Sequence, residues 1–470
     1  MLTFIISVVI LIGGYFIYGK VVEKAFGVDP NRPTPACKMA DGVDYVPMDN
    51  KRTFLIQFLN IAGLGPIYGA IAGALWGPVA FLWIVFGAIF AGAVHDFFSG
   101  MLSVRHNGAS VSEIVGIYLG TSAKQVMRVF SIILLILVGT VFMLGPAKLL
   151  ASLTPDSMTT NVWLAIIIVY YFLATILPVD KIIGKLYPLF GAVLLIMAVG
   201  IIGGLVIKGY ALPELSLTNL HPKSLPLWPL LFITIACGAI SGFHATQSPM
   251  MARCITNESQ GRRVFYGAMI AEGIVALIWA AASIAFFHGT EGLAGALADG
   301  GPGVVVHTIS TSLLGTIGGI LAMLGVIACP ITSGDTAFRS ARLTIADSFN
   351  FKQSKTVARL QIAIPLFVIA FLISRVDFNI IWRYFAWSNQ TLAMIVLWTA
   401  AVYLKNIGKN FWIALVPATF MTAVTVTYIF QAPEGLSLST TISYPIGIGA
   451  AVVALLGFLI PKVKKVVFEQ

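Results

Sequence analysis

Apolar runs long enough to cross a bilayer recur along nearly the whole chain. They fall at 2–19, 53–75, 78–104, 126–150, 161–178, 182–206, 226–250, 264–289, 315–342, 356–374, 378–404, 409–431 and 441–461. A spanning helix needs about 20 apolar residues, so this pattern predicts an all-α polytopic membrane protein with about 13 transmembrane helices. The stretch 303–313 (GVVVHTISTSL) is too short to span and reads as an outer interfacial or re-entrant helix. The longest polar piece, 20–52, reads as a loop, too poor in apolar residues to form a domain. No segment is left for a soluble catalytic domain.

Two of the runs are interrupted near their centres. Residues 53–75 carry Gly63, Gly65 and Pro66, and the run from 226 carries Ser241, Gly242 and a polar stretch to Pro249. Proline removes a backbone donor and glycine tolerates unusual φ/ψ, so each helix is expected to unwind there. Unwound backbone at membrane depth survives only inside protein or beside a polar cavity. Counting from each interruption gives five spans, beginning at 53, 78, 126, 161 and 182, and five more beginning at 226, 264, 315, 356 and 378. Five is odd, so the second set crosses the membrane in the opposite sense. Paired interrupted segments in two such halves point to a transporter's binding site. The arrangement resembles the inverted five-plus-five repeat of LeuT-like transporters. It divides the chain into an N-terminal helix and loop (1–52), a first repeat (53–206), a second, inverted repeat (226–404) and two C-terminal helices with a basic tail (405–470).

Composition agrees with this picture. Of 470 residues 58% are hydrophobic and only 10% charged, and mean hydropathy is +0.93. The net charge of +10 would suit a nucleic-acid binder, but location argues against one, because the basic residues sit at the ends of spans. Alternating from a cytoplasmic 20–52 loop puts 24 of the 29 Lys and Arg on the cytoplasmic side. Four (Lys148, Lys208, Lys223 and Arg375) lie outside, and Arg383 lies within a span. By the positive-inside bias the N-terminus is expected outside and the C-terminus in the cytoplasm. The first helix lacks a basic n-region and a following A-x-A site, so it is expected to be retained. Cys37, Cys237, Cys254 and Cys329 show no metal-ligand spacing.

Long strings also resemble the carbon starvation protein family, CstA. They are IAGLGPIYG at 61–69, FGAIFAGAVHDFFSGMLSVRHNGASVSE at 86–113, SGFHATQSPMMAR at 241–253, ITSGDTAFRSARL at 331–343 and WRYFAWSNQTLA at 382–393. The resemblance implies an inner-membrane transporter that takes up peptides or pyruvate during carbon limitation. The similarity to LeuT-like transporters further implies a sodium site, in which a small residue followed at +3 and +4 by two hydroxyls works with carbonyls of the first broken helix. Cys329, Thr332 and Ser333 fit that spacing, with Ala62 and Gly65 as the facing carbonyls. A carboxylate at Asp335 would favour either Na⁺ or H⁺, and back-bonding of the two hydroxyls around Pro330 is the structural alternative.

Ionisable and polar groups inside spans are functional candidates by default. Gly63, Leu64 and Gly65 at the first break, and Gly242, Phe243, His244, Thr246, Gln247 and Ser248 at the second, offer free amides and helix ends to a carboxylate. Asn389 and Gln390 fall mid-span and face the cavity or bridge helices. His244 is placed to exchange a proton near neutral pH. His95 and Asp96 are expected to form an inner gate with Asp335 and Arg339 or Arg342, or a locking ion pair. Glu272 reads as a relay or a buried hydrogen-bond partner, and Arg383 as an outer gate. Trp228, Trp382 and Trp412 read as interfacial anchors.

The expectation is a secondary active transporter of a small carboxylate-bearing solute, coupled to Na⁺ or H⁺ and carrying no other cofactor. A uniporter or channel is the alternative, although no repeated pore element is visible. No H-E-x-x-H, G-x-S-x-G or phosphate-binding G-x-x-x-x-G-K-[ST] motif occurs, so neither an enzyme nor an ATP-driven pump is expected.

Overall fold

The computed structural model describes residues 1–42, 45–176, 180–349, 351, 353 and 355–460. Lys352 and the basic tail at 462–465 lie outside the described residues. Each apolar run of the sequence contains helix. Among the described residues nine helices are long and apolar enough to span a membrane, and ten when the bent pair Asn50–Ile61 and Gly65–Trp76 counts as one. Four expected spans fall outside that count, while Thr290–Leu321 enters it unexpectedly. The run 315–342 is one of the four, its helix Cys329–Ser348 carrying Asp335, Arg339, Arg342 and Asp347. Thr160–Ile176 offers 17 described residues, and 177–179 after it lie outside the described residues. The run from 226 is split into Leu230–Thr234 and Phe243–Ala252. Phe378–Asn406 has the length but carries Arg383, Asn389 and Gln390 in its middle.

Helix starts follow local chemistry. Asp49 accepts hydrogen bonds from the Lys51 and Arg52 amides at 3.0 Å, satisfying donors that the first turn leaves open. Asp377 does the same for Asn379 at 2.9 Å. The expected loop at 20–52 proves to be more ordered. The first helix continues through a second segment, Tyr18–Phe26, and ends at Gly27 in the left-handed region. The remainder of 20–52 holds a short helix, Pro35–Lys38, and is pinned beside the end of the second broken helix. Thr34 donates to the Ile255 carbonyl at 2.6 Å, and the Met48 amide to that of Cys254 at 3.0 Å. Buried Glu258 holds Arg105 through two contacts of 2.6 and 2.8 Å and accepts the Asp29 amide. The stretch 303–313 is a short helical segment of its own, set off at both ends by non-helical glycines. It lies within a helical course from Thr290 to Met323, bent at Gly301 and Gly315, with Val305, Val306 and Ile309 buried.

Burial orders the helices. Ala80–Arg105 and Glu258–Phe286 are enclosed on nearly all sides, whereas Leu2–Phe26, Thr356–Ile373 and Thr440–Leu459 expose most of their apolar surface. Apolar faces turned outward are what lipid contact requires. Small residues let the central backbones approach closely, as is usual where helices pack in membranes. A Cβ on Gly65 would lie 2.3 Å from the Cys237 side chain, and one on Gly242 would lie 2.3 Å from the Asn389 carbonyl oxygen.

Candidate functional site

The two interruptions meet at the centre of the molecule. The first bends its helix by 49°. Ala62 leaves helical geometry at ψ 52°, and a new helix begins at Gly65. The Leu64 and Gly65 amides find no backbone acceptor among the described residues, and Pro66 has no N–H to offer. The second interruption is longer, from Ile235 to Gly242, with Gly238 at φ 90°. Its helix end is filled. Asn389, 146 residues away, accepts the Phe243 amide on Oδ1 at 2.6 Å, and its own carbonyl accepts the Gly242 amide at 3.0 Å. The Asn389 amide nitrogen donates to Ser241 Oγ at 3.0 Å and Cys237 Sγ at 3.4 Å. The His244 and Ala245 amides bond to Ser241 and Gly242 carbonyls. The free amides expected at 242–245 are therefore already occupied, two by the side chain and carbonyl of Asn389 and two by local carbonyls.

A charged chain runs beside this break. Asp96 bridges two imidazoles, with His95 Nδ1 at 2.7 Å from Oδ1 and His244 Nδ1 at 2.8 Å from Oδ2. His244 Nε2 lies 3.3 Å from Glu272 Oε2. All four side chains are fully buried. Neither Glu272 oxygen nor the Nε2 of His95 has a hydrogen-bond partner among the described residues. Two enclosed carboxylates on one imidazole are costly unless charge is balanced, and a bound proton or cation is a chemical means of balancing it. Cys237, His244 and Glu272 also bring ligand atoms within 4.8 Å of one another. Sulfur, imidazole and carboxylate suit a metal of zinc type, with Asp96 as the orienting partner of the imidazole. Ser99 bonds Ser248 at 3.1 Å alongside.

Aromatic rings close the space between the breaks. Phe142 packs edge-on against Phe243 and Phe385, with centroids 6.2 and 6.5 Å apart. A Cβ at Gly63 would stand 2.8 Å from the Phe142 ring, and one at Gly334 would stand 3.4 Å from Phe142 Cβ. Phe142 thus stands between the first break and the helix of Thr332 and Ser333. A cavity of about 600 Å³ opens at one end of the molecule. Tyr68, Lys148, His221, Lys223, Trp382 and Arg383 are among its lining residues. His221 lies outside the spans, and burial, followed by the nearby Lys223 charge, holds it below the usual imidazole range. Its Nδ1 accepts the Lys223 amide at 3.1 Å, which leaves the ring proton on Nε2.

Comparison with known proteins settles the family. The family model described as Carbon starvation protein CstA matches residues 1–162, 153–288 and 284–428. The chain belongs to the CstA family. A Haemophilus influenzae relative described as an uncharacterized membrane protein is 47% identical over 64% of this chain and 95% of its own length. The peptide transporter CstA of Escherichia coli K12 is 27% identical over 90% of this chain and 80% of its own. The pyruvate/proton symporter BtsT of the same organism is 29% identical over 55% of this chain, but only 45% of its own length is matched. Among solved structures, the closed, bromovinylhydantoin-bound form of Mhp1, a nucleobase-cation-symport-1 family transporter, superposes with a TM-score of 0.54 at 12% identity. It covers 88% of this chain and 94% of that one. MhsT in complex with L-phenylalanine gives a TM-score of 0.53 at 15% identity, over 86% and 97%. At these identities the likeness establishes the LeuT-like fold of this CstA family chain and nothing finer.

Several candidate residues have partners other than those expected. Asp96 faces His95 and His244, whereas Asp335 contacts Arg339 at 3.4 Å, so the expected inner gate divides into two separate groups. Glu272 is not isolated but ends the buried chain. Thr332 donates to the Cys329 carbonyl at 2.8 Å, the back-bonding geometry, while buried Ser333 Oγ has no partner among the described residues. Thr246 donates to the Phe243 carbonyl at 2.7 Å, Gln247 donates to Thr246 at 2.9 Å, and Gln390 donates to the Phe232 carbonyl. Arg383 pairs with Glu434 at 2.9 Å. Trp382 lines the cavity rather than a membrane interface. Spacing gave no sign of Phe142, and none of the partnership of Cys237 and Ser241 with Asn389. Cys237 and Ser241, one helical turn apart within the second interruption, were the only legible hint.

Proposed function

We propose that this CstA family chain is a secondary active transporter that imports small carboxylate-bearing nutrients by proton-coupled alternating access. The observation that carries the reading is the enclosed chain Asp96–His244–Glu272. It joins the half-helix of the second break to two central helices, so its protonation state and the position of that half-helix depend on each other. The Leu64 and Gly65 amides, at the positive end of the half-helix Gly65–Gly73, are the docking point for a carboxylate. Gly63, Thr246 and Gln247 border it. The Phe142–Phe243–Phe385 cluster closes the centre while the Lys148–Lys223 cavity stands open, so the conformation is outward-facing. Rocking of one helix bundle would open the opposite side. The peptide and pyruvate/proton transporters among the relatives support the substrate class and the choice of H⁺ over Na⁺. The family's description supports a role in carbon limitation, and the one-sided distribution of Lys and Arg supports an N-terminus outside the cell membrane.

The test is uptake of labelled pyruvate and a labelled tripeptide into proteoliposomes under separately imposed H⁺ and Na⁺ gradients. An inward proton gradient should drive accumulation in the wild type, and Asp96→Asn should abolish accumulation while sparing the folded state. Equilibration without accumulation in the wild type would identify a uniporter or channel. Normal proton-driven accumulation by Asp96→Asn would remove the chain from the coupling mechanism.

A further inference from the structure

We infer that the cavity at the Lys148–Lys223 end is an anion-capture vestibule, selecting small solutes of net negative charge over zwitterions of the peptide kind. The inference rests on the transport reading above and narrows its substrate class. Among the described residues, Lys148, Lys223 and Arg383 line the cavity and no Asp or Glu does. Arg383 is already matched by Glu434. Lys148 rests its ammonium over the Phe378 ring, 5.1 Å from the centroid, and neither lysine has a carboxylate partner among the described residues. Two positive charges therefore face the cavity without an ion-pair partner among the described residues.

The deeper wall supplies neutral donors. Tyr68 is buried, and its hydroxyl has no hydrogen-bond partner among the described residues; the indole N–H of Trp382 is in the same condition. Their rings lie 5.9 Å apart. A buried donor without an acceptor costs free energy until one arrives, and a carboxylate or a 2-oxo group is an acceptor that carries no donor of its own. His221, held neutral, adds an N–H and no acidic group.

A zwitterion meets this surface with a handicap. Its carboxylate finds the same lysines, but its ammonium finds no carboxylate to pair with and two like charges to repel it, and such juxtaposition works against binding. Volume does not discriminate, since about 600 Å³ accommodates a short peptide as well as a 2-oxo acid. Charge does. A concave, low-dielectric wall of one sign also focuses the field and raises the local concentration of anions.

The test measures binding apart from transport. The purified full chain in detergent is titrated calorimetrically with pyruvate, with its uncharged amide pyruvamide, and with trialanine, at low and high ionic strength. Pyruvate should bind more tightly than either of the others and weaken as salt is raised. The double variant Lys148→Gln/Lys223→Gln should lose about tenfold in pyruvate affinity with pyruvamide binding unchanged, and Lys148→Arg/Lys223→Arg should restore it. Both lysines are exposed, so an unchanged melting temperature verifies that the variants are folded. Trialanine binding as tightly as pyruvate would overturn the inference, as would an unaltered pyruvate affinity in the double glutamine variant. Binding of this pattern without gradient-driven accumulation would instead defeat the transport reading and leave the vestibule standing.

Discussion

The two interrupted helices carry the same kind of sequence signal and end in different chemical states. At the first, the chain leaves helix for three residues, and the amides of Leu64 and Gly65, at the start of a nine-residue half-helix, have no backbone acceptor among the described residues. At the second, eight residues leave helix, yet each amide from Gly242 to Ala245 has an acceptor, two of them supplied by Asn389. Glycine and proline mark where a helix breaks. They say nothing about what fills the break, because the filler comes from a helix far along the chain. A helix end that looks like an anion site from sequence is one only if no side chain has already taken the anion's place.

Gly242→Ala is the substitution with the largest expected effect on this contrast. The new methyl would sit 2.3 Å from a backbone carbonyl oxygen and 2.6 Å from the Ala393 amide nitrogen, neither of which can rotate away. Overpacking and the loss of the Gly242–Asn389 bond together should cost about 3 kcal/mol, seen as a large fall in melting temperature in detergent and loss of uptake. Near-normal stability would mean that the second break is looser than its geometry indicates.

Asn389→Ala comes next and sharpens the comparison directly. It strips acceptors and donors from Phe243, Ser241 and Cys237, an expected loss of about 2 kcal/mol. It also exposes the Phe243 amide at the second break, turning that helix end into a copy of the first. If Asn389 serves only as a plug, pyruvate affinity in the variant should rise while stability falls. If affinity falls along with stability, the asparagine is part of the substrate's own binding surface, and the two breaks differ in role rather than in occupancy.

The legibility of the molecule divides along the same line. Helix positions, the register of the two breaks and the fold could be read from the chain, because hydropathy over 20 residues and a few Gly and Pro positions are local properties. The family was legible from long strings such as SGFHATQSPMMAR. Partnerships were not. His95, Asp96, His244 and Glu272 were each visible as costly intramembrane charges, but their assembly into one chain depends on the packing of three helices, and spacing along the sequence carries no trace of it. Asn389 was visible as a polar mid-span residue, but not as the partner of the second break, and Cys237 lacked even that flag, since a cysteine in a span is ordinary until its neighbours are known. The Trp382 reading missed for a related reason: residues near the ends of spans face a membrane interface or a vestibule depending on which side of the helix is covered.

The smallest expected effect concerns the hydroxyl pair facing the first break. A cation site shared by Thr332, Ser333 and the Ala62 and Gly65 carbonyls would make the first break a second coupling centre, and would give both breaks a cation. The geometry weighs against it in this conformation. Thr332 is engaged by the Cys329 carbonyl, Asp335 is engaged by Arg339, and the Phe142 ring intervenes. Ser333 is buried with a hydroxyl that has no partner among the described residues, so Ser333→Ala removes an unsatisfied group along with a small side chain and should change stability by within about 0.5 kcal/mol. Uptake measured in sodium and then in a sodium-free choline buffer should be the same for wild type and variant. A sodium requirement in the wild type that vanishes in Ser333→Ala would show that Phe142 moves aside during the cycle. The unpartnered hydroxyl would then be the ligand of an ion bound in another state.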